Sequence, residues 1–149
     1  MMNNNWIWMI MVFLGGVVLP IQAGLNNKMS KELASGAGAS MISFLIGFCA
    51  LLLFIVVNKD TFQMSGLRTA PLYTWFAGVL GAFYVTIVVL AFPKLGPALT
   101  FGLVVAGQLI MSLLLDHFNI LVHVPHEINF YRIIGAVLII IGVVLIRKF

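Results

Sequence analysis

Between Glu32 and Lys59 the chain carries no charged side chain, and long uncharged runs of this kind recur along its length. They cover Met1 to Asn27, Leu33 to Asn58, Thr69 to Pro93, Leu95 to Leu115 and Ile133 to Ile146. A helix needs about 20 apolar residues to cross a hydrocarbon core about 30 Å thick, and most of these runs meet that length. In lipid, every backbone amide must be satisfied within its own segment or in a closed barrel. The runs are continuously apolar and lack the alternation over about ten residues that marks a barrel strand. Helices follow. The pattern predicts an all-α integral membrane protein, a single membrane domain over residues 1–149. Its five transmembrane helices are expected at about 6–26, 34–57, 70–92, 96–116 and 130–147.

Composition closes the other routes. Charged residues make up 8% of the chain, against about 25% in a soluble domain, so they cannot cover a wet exterior. Disorder needs low hydrophobicity, whereas 62% of this chain is hydrophobic and its mean hydropathy is +1.16. The net charge of +4 comes from eight Lys and Arg residues scattered singly or in pairs. A phosphate-tracking surface gathers them on one face, so no nucleic-acid partner is expected. Cys49 is the only cysteine, which rules out an intrachain disulfide. The start, MMNNNWIWM, has no basic n-region and reads as a retained first span.

The fifth run is the shortest, spanning about 21 Å between Arg132 and Arg147 at 1.5 Å per residue. Arginine stems that snorkel outward, together with Phe130 and Tyr131, extend it into the interface. Trp6, Trp8, Tyr73 and Trp75 stand where interfacial aromatics belong. With five spans the termini lie on opposite sides. Lys59, Arg68 and Arg132 then share the side of the N-terminus, and Lys28, Lys31, Lys94, Arg147 and Lys148 the other. So small a bias fits two topologies. One has a single orientation with the C-terminus inside; the other is a chain that inserts both ways and pairs with an inverted copy of itself.

Polar residues inside the runs mark the candidate site. Helix 1 reads GGVVLPIQAGLNN, and Pro20 crowds the carbonyl of Gly16, which predicts a kink or an opening with Gly15, Gly16 and Pro20 as hinge. Gln22 and Asn26 are four apart and share one face. Gln22 serves either as a substrate contact or as an interhelical staple, since lipid offers it no partner. Helix 4 carries Thr100, Gln108, Ser112 and Asp116 on one face. Ala98, Gly102 and Ala106 form a smooth stripe about 200° away. Ala39, Ser43 and Gly47 make a similar stripe on helix 2, read as packing, as is Cys49. Tyr84 brings a phenol into mid-membrane.

Asp116, His117, His123, His126 and Glu127 cluster in DHFNILVHVPHE, but their spacing matches no zinc motif. No metal or other cofactor is expected. Asp116, with His117, either takes part in proton coupling or caps helix 4 against His117 or an arginine. No phosphate-cradling loop and no nucleophile with a neighbouring base is present, so no enzyme is expected.

The segments GGVVLPIQAGLNN, SGAGASMISFLIG, AGVLGAFYVTIVVLAFPKLGPA, LVVAGQLIMSLLLDHF and YRIIGAVLIIIGVVLI, in this order, resemble the YdcZ-type family. These are small bacterial inner-membrane proteins of the drug/metabolite transporter superfamily. The resemblance implies a multi-pass inner-membrane protein that is half of a ten-helix layout and assembles as an antiparallel homodimer. Small multidrug-resistance proteins are similar in size but use a glutamate in their first helix. Here Gln22 holds the polar position, and an amide does not exchange a proton near neutral pH. The expected function is a small secondary transporter with a substrate site of Gln22, Asn26, Tyr84, Gln108 and Ser112 between two copies. A non-transporting accessory or structural subunit is the alternative.

Overall fold

The computed structural model describes residues 5–61, 63–122 and 126–149. All regular structure among them is helical: α1 (Asn5–Glu32), α2 (Gly36–Asn58), the short α3 (Gly66–Thr69), a 3-10 turn (Leu72–Trp75), α4 (Phe76–His117) and α5 (Phe130–Lys148). Among the described residues, four helical segments are long and apolar enough to cross a membrane. The chain divides into two compact units, Met1–Pro93 and Lys94–Phe149.

In the first unit, α1 and α2 are joined by a short connection closed by local hydrogen bonds. The Ser35 amide donates to the Ser30 carbonyl (3.1 Å) with Ala34 in the left-handed region, at φ 49°. Ser35 is also the N-cap of α2, its Oγ accepting from the Gly38 amide at 3.0 Å. So short a link makes the two helices antiparallel neighbours, and they pack on each other. Ala23 of α1 and Ala39 and Ser40 of α2 are buried, small residues that let backbones approach. Val88 and Val89 of α4 complete this core. The approach is close: a Cβ on Gly36 would stand 2.7 Å from Leu90 Cδ2. The N-terminal half of α1, Trp6 to Val18, is exposed throughout.

Pro20 lies inside α1, which is helical from Asn5 to Glu32, and the space around Gly16 is open. A break in the backbone lies in α4, at Gly96 (φ 75°, ψ 165°). A straight helix of 42 residues would be about 63 Å long, about twice a hydrocarbon core, and α4 is interrupted within that length. Pro97 contributes no amide there, and Thr100 Oγ1 donates to the Gly96 carbonyl at 2.7 Å.

In the second unit the α4 segment beyond Gly96 meets α5. A Cβ on Gly102 would lie 3.2 Å from Val143 Cγ2, and Val143 is buried. Of the smooth stripe predicted on helix 4, Gly102 makes this contact and Ala106 is half-buried, but Ala98 is exposed. Ala98 sits in the first turn after the break. Asn129 caps α5, its side chain accepting from the Arg132 amide at 2.9 Å.

Candidate functional site

The polar groups of the first unit converge on the seam between α1 and α2. Gln22 and Asn26, one turn apart on α1, have Cβ atoms about 6 Å apart along the helix face. Across from them α2 presents Ser43. Two adjoining grooves run along this seam, of about 370 and 240 Å³, and both are lined by Gln22 and Ser43. The larger continues over Gly47, Phe44, Phe48 and Leu51 of α2 and reaches Val85 of α4. The smaller holds Asn26, with Leu25, Met29, Ile42 and Ile46 around it.

Asn26 is the decisive residue. It is only 8% exposed. Its side-chain amide bonds no described residue, whereas every sealed side-chain polar atom in the described structure has a partner. The amide therefore keeps an opening, and the groove it lines is that opening. Gln22 is exposed and likewise makes no side-chain bond to a described residue. Among the described residues that line either groove there is no Asp, Glu, Lys, Arg or His. The groove thus offers amide donors and acceptors and a hydroxyl on apolar walls, with no fixed charge.

The other predicted residues fall elsewhere. Tyr84 is half-buried, and it is the next residue, Val85, that lines the groove. Gln108 and Ser112 belong to the second unit and are both exposed. Asp116 accepts from Arg132 Nη1 at 3.0 Å, and the same nitrogen donates to the His126 carbonyl at 3.0 Å. The carboxylate thus ends α4 against an arginine. His117 packs edge-on against Phe118, ring centroids 5.1 Å apart. His123 lies outside the described residues, and among those described no three His, Cys, Asp or Glu side chains gather in a metal-sized group. Gly15 and Gly16 have open space beside them. The small-residue stripe on helix 2 reads Ser43 as packing. The signal for its other role is the pair Phe44 and Phe48, which places aromatic bodies beside Ser43 and Gly47 on successive turns.

Comparison with known proteins gives these features a family. Residues 7–145 match the family described as "Putative inner membrane exporter, YdcZ". The chain is 27% identical over 150 residues to the inner membrane protein YdcZ of Escherichia coli (strain K12), covering 97% of each. No solved structure matches it. An all-helical chain with apolar, membrane-length helices and a family match over nearly all of its length is thus a member of the YdcZ family of inner-membrane proteins.

Proposed function

We propose that this protein is a small secondary transporter that exports a small solute across the bacterial inner membrane, working as a pair of inverted copies. The observation that carries the reading is Asn26, a residue only 8% exposed whose unbonded side-chain amide opens onto a groove inside apolar helices. An unsatisfied amide in hydrocarbon costs several kcal/mol by rough transfer estimates, so a solute or water must meet it. The description of the family as an exporter family supports the direction. Five crossings follow if α4 crosses on each side of Gly96, and an odd number puts the termini on opposite sides. The small Lys and Arg imbalance, the exposed amide of Gln108 and the exposed N-terminal half of α1 support a second copy as partner.

The test compares solutes in the medium of cells expressing the native protein with those expressing a Gln22→Leu, Asn26→Leu variant at equal membrane abundance. At least one solute accumulates outside only with the native protein. If the two media are identical, export through this groove is wrong. Tags on the C-terminus should be found on both faces of the membrane, and tags on one face only would defeat the inverted pairing.

A further inference from the structure

We infer that the groove between α1 and α2 selects an uncharged amphiphile, a molecule with a hydrogen-bonding head on Gln22, Asn26 and Ser43 and an apolar body along Phe44 and Phe48. This deepens the transport reading and rests on it for the meaning of binding, though not for its measurement. The two grooves divide the site chemically. Around the smaller, Asn26 is a buried residue whose unbonded amide stays accessible and so supplies both a donor and an acceptor. Gln22 and Ser43 border both grooves, and Asn26 joins them in the smaller, so the three polar residues share one lining. Beyond them the larger groove has apolar walls, and no heavy atom lies within 4 Å of a Cβ at Gly47, leaving space for a ring or chain.

The absence of charge in the described lining makes the site selective. A cation or anion seated there sheds water and finds no opposite charge, and an unpaired charge in an apolar site is far costlier than a hydrogen-bonded neutral group. A neutral amide or hydroxyl exchanges its water bonds for those of Gln22 and Asn26 at little loss. The apolar body gains from burial, and its length along the α2 face orients the molecule head to tail.

The experiment uses the full chain in phosphatidylcholine nanodiscs, with binding to empty nanodiscs subtracted. The probes share one body and differ in charge: 4-butylbenzamide, 4-butylbenzoate and 4-butylbenzylammonium. The benzamide should bind saturably and at least about tenfold more tightly than either ion. Gln22→Leu with Asn26→Leu should remove that advantage. Gln22→Glu, nearly isosteric, places a carboxylate at the head position and should raise the affinity of the ammonium at least about tenfold. That gain cannot come from misfolding. Either ion binding the native protein as well as the benzamide overturns the inference, and so does an unchanged preference in the Leu variant. No saturable benzamide binding, with disulfide crosslinks between copies through Ser43→Cys, overturns it in favour of a second copy filling the groove. Benzamide selectivity with no solute difference in the export experiment defeats the transport reading and leaves this one standing. A solute difference without benzamide selectivity does the reverse.

Discussion

Gly96→Ala isolates the energy stored in the break of α4. At φ 75° and ψ 165° Gly96 occupies a region essentially closed to residues with a Cβ. A Cβ added there meets no heavy atom within 4 Å, so no clash contributes. The cost is backbone strain alone, on the order of 1–3 kcal/mol. Gly135 provides the control, because its surroundings are equally open but it lies inside α5. Alanine is the better helix former there by about 1 kcal/mol. The same methyl group should therefore have opposite signs at the two positions, a separation of about 2–4 kcal/mol. The assay is reversible unfolding in mixed micelles, raising the denaturing detergent and following helical circular dichroism. Gly96→Ala should lose stability by the strain, and Gly135→Ala should be unchanged or more stable. A Gly96→Ala protein as stable as the native one would mean that alanine fits the backbone, and α4 would not break at this residue.

The Asp116–Arg132 pair, with side chains 25% and 31% exposed, should contribute about 1 kcal/mol. A double-mutant cycle of Asp116→Asn and Arg132→Gln in the same micelles should return that coupling, and a coupling near zero would show the contact to be incidental. Gly102→Leu should cost about 1–3 kcal/mol by pushing on Val143 Cγ2 at 3.2 Å, and Val143→Ala should recover part of that loss. Additive losses in the double variant would place Gly102 away from α5.

The helices were legible because charge is so scarce: Lys28, Lys31 and Glu32 close the first run and Lys59 and Asp60 the second, where α1 and α2 end. The turn chemistry was harder to read. In PKLGP the charge on Lys94 suggests a boundary beside Pro93, but the helix continues past both and yields at Gly96. Pro93 can close a helical turn with its fixed φ, whereas the combination of φ 75° and ψ 165° that breaks this helix is essentially confined to glycine. The shared face of Gln22 and Asn26 follows from their spacing, but their difference in burial does not. Helical period gives direction around α1, and the depth at which α2 covers each residue depends on the small Ala23 and Ala39 that draw the helices together. Ser43 shows the same limit. A small hydroxyl residue four positions from Ala39 and from Gly47 reads as a packing stripe whether a helix or an open groove lies opposite.

The ion pair between Asp116 and Arg132 joins residues 16 apart, one near the end of α4 and one near the start of α5. The last helix is short and flanked by Arg132 at one end and Arg147 at the other. Alone, it would carry a full charge to each face of the bilayer. With Asp116 beside it, Arg132 presents no net charge at its end of α5, so the end of α4 and the start of α5 are tied as one electrostatic clasp.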